Sequence, residues 1–119
     1  GDACRVAAIM SDIRIMPNGL KIAAARSNAR AFLQVQQEFP GFADYIWQFV
    51  GGRPIQNRWK SSRQIPVSTP ESTAMSRDLM KRGFKFVGPT ICYAYMQATG
   101  MVNDHTLDWF RHQEVIQDS

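Results

Sequence analysis

Residues 81–100 of the chain read KRGFKFVGPTICYAYMQATG. Gly83 and Gly88 stand five positions apart and enclose two phenylalanines, with basic residues before them and a helix-like apolar stretch after them. Three structures could underlie this pattern: a buried strand, a phosphate-binding loop after a strand, and a hairpin between two helices. A strand this short would have no partner, because both flanks read as helix. The phosphate-loop motif needs Gly-Lys-Ser/Thr, whereas Gly88 is followed by Pro89 and Thr90. The pattern therefore predicts the hairpin.

In this hairpin Gly83 ends the first helix in a left-handed conformation, and Pro89 occupies the first turn of the second helix. We expect the rings of Phe84 and Phe86 to turn inward while the Lys85 ammonium stays in water. Several peptide N–H groups at the turn lack intrahelical acceptors and converge with a helix N-terminus, an arrangement that suits an anion such as a DNA phosphate. The pattern fits equally a helix corner whose glycines serve only close packing. The residues predicted to bind DNA phosphate are Lys81, Arg82, Gly83, Lys85, Gly88 and Thr90.

The remaining sequence also reads as helices. We expect an all-α helical bundle in a single domain over residues 1–119, with the helix-hairpin-helix at about 69–99. A short helix is predicted over residues 2–10 and a turn at Pro17, Asn18 and Gly19. Residues 42–50 predict a helix closed by a glycine pair. Residues 22–37 predict another helix, whose buried stripe comprises Ile22, Ala25, Ala29, Phe32 and Leu33.

The first helix of the hairpin has a clear N-terminal signal in VSTPEST, residues 67–73. Either Ser68 or Thr69 can cap this helix, and Ser68 with Glu71 resembles a capping box. Met75 and Leu79 form its predicted buried stripe. A last helix is expected after residue 105, with Asp104 helping to cap it.

Composition narrows the class of protein. The chain has 119 residues, 45% of them hydrophobic and 20% charged, and no apolar run approaches the ~20 residues that a bilayer requires. Two cysteines are too few for a disulfide framework, so we expect a reduced, cytoplasmic setting and no membrane association. The net charge is +4, and residues 53–64, RPIQNRWKSSRQ, carry four basic residues and no acid. This stretch fits either a phosphate contact or a solvated connector whose Trp59 packs back onto the core.

Longer stretches show a specific resemblance. The segment MKRGFKFVGPTICYAYMQATGMVNDH, residues 80–105, closely resembles the C-terminal part of the DNA-3-methyladenine glycosylase I family, which belongs to the helix-hairpin-helix group of base-excision repair enzymes. LKIAAARSNARAFLQVQQEF, YIWQFV and QIPVSTPESTAMSRDLMKRG resemble the same family in order and spacing. The resemblance implies a hairpin that holds the DNA backbone near the lesion. It also implies an alkylated adenine turned out of the duplex for hydrolysis of its glycosidic bond.

The sequence departs from the family pattern at the zinc site. The resemblance implies a structural zinc held by an N-terminal Cys and His and by a C-terminal His and Cys. His105 matches the C-terminal His, but Trp109 stands where the family has its Cys. Cys4 matches the middle of the family and is no substitute, Cys92 reads as a small core residue, and His112 reads as solvated. We expect no bound zinc and no other cofactor.

The family's N-terminal part, which the resemblance assigns to the base pocket, has no counterpart in the sequence. We therefore expect a truncated, glycosylase-like protein that binds double-stranded DNA but is inactive alone. The alternative is that the chain is part of an active DNA-3-methyladenine glycosylase. No catalytic residue can be named, and Tyr93 either fills the core or lines a remnant of the pocket. Apolar surface left uncovered predicts a homodimer.

Overall fold

The computed structural model of the protein describes residues 17–107. It contains four α-helices, which we label α1 (Asn18–Glu38), α2 (Phe42–Ile46), α3 (Pro70–Lys81) and α4 (Pro89–Ala98). Two strands, β1 (Ile55–Trp59) and β2 (Val102–Thr106), complete the fold together with 3-10 turns at Trp47–Val50 and Ser62–Gln64. The predictions for the helix at residues 2–10, for Cys4, for Trp109 and for His112 lie outside the described residues. Between residues 17 and 107, no helix is both long and apolar enough to cross a membrane.

The core lies where the four helices meet. Val35, Tyr45, Met75, Tyr93 and Met96 are each at most 2% exposed. α3 packs against α4, and the buried side chains of α1 and α2 close the other side of this pair. The predicted stripe of Met75 and Leu79 is confirmed, and Cys92 is buried as predicted.

The all-α prediction is wrong in one respect, because β1 and β2 form a two-stranded parallel sheet. Ile55 pairs with Val102 and Trp59 with Thr106. The chain turns into each strand after a glycine in the left-handed region, at Gly52 and at Gly100. Burial alternates along β1, which is typical of a strand with one face toward the protein and one toward solvent. The fold is thus mostly helical with a small parallel sheet.

The buried face of α1 differs from the predicted one. Ala24, Ala31 and Val35 are buried, whereas Ile22 is 54% exposed and Leu33 is 58% exposed. Ala25 and Ala29 of the predicted stripe are exposed as well, so the buried face lies about one residue away from the predicted one along the helix. Phe32 keeps one contact, with its ring centroid 4.9 Å from that of Phe42.

Helix termini also differ in detail from the prediction. Pro17, Asn18 and Gly19 do not form a separate turn, because Asn18 is already helical and the N–H of Lys21 donates to the Pro17 carbonyl at 3.1 Å. At the start of α3, Thr69 is the N-cap. It forms a capping box with Ser72, not the predicted pair of Ser68 and Glu71.

Candidate nucleic-acid interface

The connection between α3 and α4, residues 82–88, is where the sequence predicts a hairpin corner. Gly83 has φ 99°, so it occupies the left-handed side of backbone space that only glycine adopts at little cost. Its N–H donates to the Met80 carbonyl at 3.0 Å, and the N–H of Phe84 donates to the Leu79 carbonyl at 3.0 Å. These bonds end α3 and reverse the chain. The prediction that Gly83 stops the helix is confirmed.

Helix α1 holds the corner from the side. Ser27 Oγ donates to the Gly83 carbonyl at 2.5 Å. The Asn28 amide bonds the Lys85 backbone twice: Oδ1 accepts from the Lys85 N–H at 2.6 Å, and Nδ2 donates to the Lys85 carbonyl at 3.3 Å. Neither Ser27 nor Asn28 was predicted from the sequence, because neither stands in the hairpin motif. Both residues lie between Ala24 and Ala31 in the sequence, and the burial of these alanines is what places this part of α1 against the protein.

The outer part of the corner keeps a row of peptide N–H groups without acceptors. Within the described residues, no hydrogen-bond acceptor serves the N–H groups of Phe86, Val87, Gly88, Thr90 and Ile91. The last two lie in the first turn of α4, where the helix dipole places partial positive charge. The donors predicted for this corner are therefore present, but those of Gly83 and Lys85 are used internally.

Two backbone features mark the same place. Phe86 has φ 61°, a left-handed conformation that is unusual for a bulky residue and that costs on the order of 1 kcal/mol or more. Its ring is 43% exposed, so the prediction that both phenylalanines turn inward holds for Phe84 and is wrong for Phe86. Gly88 has φ −62°, which any residue adopts, and a Cβ built there meets nothing within 4 Å. The protein's own packing therefore does not require a glycine at position 88.

Of the basic residues predicted at the corner, two remain in solvent. Lys81 and Lys85 are exposed, and in the described part of the chain neither forms an ion pair. Arg82 instead binds two carboxylates: Nη1 lies 2.7 Å from Glu38 Oε2, and Nε lies 2.9 Å from Asp78 Oδ2. Its guanidinium also lies 4.7 Å from the Tyr45 ring centroid.

The pKa values of these carboxyl groups follow from the contacts of Arg82. Hydrogen bonding to Arg82 lowers the pKa of Glu38. Burial raises the pKa of Asp78, but hydrogen bonds from the Tyr45 hydroxyl and from Arg82 outweigh it and the net shift is downward. Burial and the bond to Asp78 raise the pKa of Tyr45, so its hydroxyl stays protonated. Arg82 therefore ties the end of α1 to α3.

Thr90 and Tyr93 lie on the helix that follows the corner. Thr90 is half-buried in the first turn of α4. Tyr93 is fully buried, and its hydroxyl donates to Asp104 Oδ2 at 2.6 Å. Tyr93 thus sits in the core and lines neither groove described below, although core packing and a remnant pocket were both open from the sequence.

Asp104 lies in β2 and accepts four hydrogen bonds. The body of the last helix, which Asp104 was expected to help cap, lies outside the described residues. Asn57 and Trp59 donate to Oδ1 at 3.0 and 2.8 Å, and Tyr93 and Gln97 donate to Oδ2 at 2.6 and 2.9 Å. Burial raises the pKa of Asp104, yet these four donors outweigh it and hold the pKa below its ordinary value. The carboxylate joins both strands to α4.

His105, the residue that matches a family zinc ligand, lies beside it on β2. Its Nε2 is 2.8 Å from Gln56 Oε1. Over residues 17–107 no three His, Cys, Asp or Glu side chains gather closely enough to hold a metal ion. Because Trp109 lies outside that range, the expected lack of zinc stays a prediction.

An apolar groove of about 210 Å³ opens beside the corner. It has no acidic or basic side chain. Its one ionisable thiol, Cys92, has a pKa raised by burial to about 11, and its Tyr95 side chain is 42% exposed. A second, more open cleft lies near Asp44 and Trp47. The residues lining the apolar groove are Phe42, Ile46, Met75, Leu79, Phe84, Val87, Ile91, Cys92 and Tyr95.

Comparison with known proteins places this arrangement in a family. The profile of the methyladenine glycosylase family matches residues 2–112. DNA-3-methyladenine glycosylase 1 of Escherichia coli strain K12 is 46% identical over 99 residues, which are 83% of this chain and 53% of the relative. DNA-3-methyladenine glycosylase of Haemophilus influenzae is 40% identical over 107 residues, 90% of this chain and 55% of the relative.

Solved structures agree with the sequence comparison. A crystal structure of 3-methyladenine DNA glycosylase I superposes with a TM-score of 0.68 at 54% identity, covering 73% of this chain and 48% of that one. The Staphylococcus aureus enzyme superposes with a TM-score of 0.71 at 26% identity, covering 79% and 50%. The chain spans about half the length of the curated relatives it matches. The chain belongs to the methyladenine glycosylase family, as its sequence motifs predicted.

Proposed function

We propose that this chain binds duplex DNA through a helix-hairpin-helix formed by α3, the corner and α4. The observation that carries the proposal is the row of unpaired peptide donors from Phe86 to Ile91 at the start of α4. A helix N-terminus with free N–H groups is a suitable site for a phosphate, since donors and dipole both favour negative charge. Contacts of this kind fix the position of the protein on DNA without reading its sequence.

Space and charge at the corner support the same ligand. A side chain at position 88 would project into open space, and its absence lets a phosphate approach the backbone closely. Lys81 and Lys85 add positive charge, and neither forms an ion pair with a described carboxylate, although Lys81 acts electrostatically on Asp78. The left-handed Phe86 keeps the corner in a conformation that its own residue type disfavours, as is common at ligand sites. Arg82 is not part of this proposal, because its guanidinium is bound to Glu38 and Asp78.

The second part of the proposal is that this chain alone does not excise bases. The relatives are named as glycosylases of 3-methyladenine, but the chain matches only about half of their length. Excision requires a pocket that holds an extruded base and a polar group that assists the bond cleavage. In the described residues the groove beside the corner has no acid or base, and Asp104 already accepts four hydrogen bonds.

A second candidate function is excision of 3-methyladenine, with this chain as part of the active enzyme. The identity of 46% to a DNA-3-methyladenine glycosylase favours it. The two candidates differ in one assay. Release of free 3-methyladenine from alkylated DNA by this chain alone would favour the enzyme, whereas salt-sensitive binding without release would favour the DNA-binding role.

The corner itself is tested by Lys85→Glu. We expect affinity for duplex DNA to fall by about tenfold, and the salt dependence of binding to weaken by about one phosphate contact. Arg26→Glu is the matched control, since it makes the same charge change at an exposed position of α1. Unchanged affinity in Lys85→Glu would indicate a protein that does not use this corner for DNA.

The proposal includes a homodimer. α1 exposes Leu20, Ile22, Phe32 and Leu33, and the groove is entirely apolar at its surface. Each Å² of apolar surface that a partner covers contributes about 25 cal/mol, so a second copy of the chain would gain substantially by covering them. Light scattering at micromolar concentration tests this, and the expected result is a mass of two chains. A folded monomer that binds no hydrophobic dye would rule the dimer out.

A further inference from the structure

The small sheet has two chemically different faces. Asn57 and Trp59 point to the face where Asp104 lies, because both side chains donate to it. Side chains alternate along a strand, so Gln56, Arg58 and Lys60 belong to the opposite face. The bond between Gln56 and His105 lies on that opposite face. Gln56, Arg58 and Lys60 are all exposed.

The segment of residues 53–63, which includes this outer face, is strongly basic. The sequence has no acidic residue between Asp44 and Glu71. In that interval the four basic residues are Arg53, Arg58, Lys60 and Arg63, and all are exposed. In the part of the chain that the structure describes, neither Lys60 nor Arg63 forms an ion pair. The carboxylate of β2 is turned to the other face of the sheet, where its oxygens accept four hydrogen bonds.

Hydrogen bonds within the protein order the basic segment in the absence of a ligand. Trp59 and Asn57 fix β1 to β2 through Asp104. Beyond the strand, the Lys60 N–H donates to Gln64 Oε1 at 2.7 Å, and the 3-10 turn Ser62–Gln64 follows. Lys60 and Arg63 therefore stand on one tight turn. Cations on an ordered backbone lose less entropy on binding than cations on a flexible loop.

We infer that this exposed basic segment, which carries Arg53, Arg58, Lys60 and Arg63, is a second contact for the phosphate backbone of a nucleic acid. The two sites lie on different elements: the corner precedes the first residue of α4, and the sheet is bonded to α4 through Tyr93 and Gln97. The inference rests on the proposed DNA binding and adds to it a second, separate stretch of backbone.

The test is the charge reversal Lys60→Glu/Arg63→Glu. The control Arg26→Glu/Arg30→Glu makes the same change of net charge at exposed positions of α1. The probe is a fluorescein-labelled DNA duplex about two helical turns long, ~20 base pairs. Its affinity for the full chain is measured by anisotropy over a series of salt concentrations. Circular dichroism melts check that each variant folds. If the charge reversal does not fold, Lys60→Gln/Arg63→Gln replaces it.

The expected result is a fall in affinity of at least tenfold and a salt slope smaller by roughly two phosphate contacts, with the control nearly unchanged. Unchanged binding in the reversal overturns the inference. Equal losses in reversal and control also overturn it, because they would report only net charge. If Lys85→Glu weakens binding while Lys60→Glu/Arg63→Glu does not, the corner proposal stands and the second contact fails. The converse pattern leaves the second contact and removes the corner.

Discussion

Alanine substitutions at the two glycines of the corner should affect folding and DNA binding differently. Gly88→Ala should leave folding intact, because φ is −62°, the residue precedes a proline and the added Cβ meets nothing within 4 Å. Reduced freedom of the unfolded chain should stabilise it by about 0.4–1 kcal/mol. Gly83→Ala should behave in the opposite way. Its nearest contact, Ser27 Oγ at 3.9 Å, is harmless, but φ of 99° costs a side chain about 1–2 kcal/mol.

For DNA affinity we expect the larger loss in Gly88→Ala. The Cβ of Gly88→Ala occupies the space through which a phosphate approaches the free donors. Loss of one hydrogen bond to a charged group costs about 1.5–3 kcal/mol, or roughly a tenfold to hundredfold loss of affinity. Urea unfolding followed by tryptophan fluorescence gives the stabilities, and anisotropy of a labelled duplex gives the affinities. A Gly88→Ala variant that binds DNA normally, or that unfolds as easily as Gly83→Ala, would refute the reasoning.

Three further predictions concern the supports of the site. Asp104→Asn should lower the free energy of unfolding by about 2–3 kcal/mol in urea titrations at neutral pH, because charge-assisted bonds are lost. Since the pKa of Asp104 is lowered on folding, its contribution is present above the unfolded value of about 4 and is lost as the pH falls through the folded value. Urea midpoints measured from neutral to acidic pH should therefore fall less steeply in Asp104→Asn than in the unaltered chain. Asn28→Ala should cost about 1 kcal/mol of stability and also weaken DNA binding, although Asn28 supports the corner through Lys85 without facing the phosphate. Arg82→Gln should lower the thermal midpoint but leave the salt slope of DNA binding unchanged, and a smaller slope would show that Arg82 contacts DNA.

The helices around the corner could be predicted because their signals are local. Thr69 before Pro70, Gly83 at the end of α3 and Pro89 at the start of α4 each specify a helix terminus through their own backbone chemistry. The same local signals placed the donors at the corner. They could not show which donors the rest of the protein uses, since the partner of Lys85 is supplied by α1.

The sheet could not be predicted from local pattern. β1 reads as a polar, basic connector, and each strand is stable only through the other, 47 residues away in register. The donors to Asp104 come from two elements, β1 and α4, that no short motif links. The buried face of α1 was missed for a related reason. Ala24, Ala31 and Val35 are buried, whereas Ile22 and Leu33, which contribute most to the apolar periodicity, remain exposed.

The most direct test of phosphate binding at the corner is a nuclear magnetic resonance titration of the ¹⁵N-labelled chain with duplex DNA. The largest amide shifts should fall on Phe86, Val87, Gly88, Thr90 and Ile91, and they should diminish as salt is raised. Binding that shifts other amides while these stay unmoved would contradict the account.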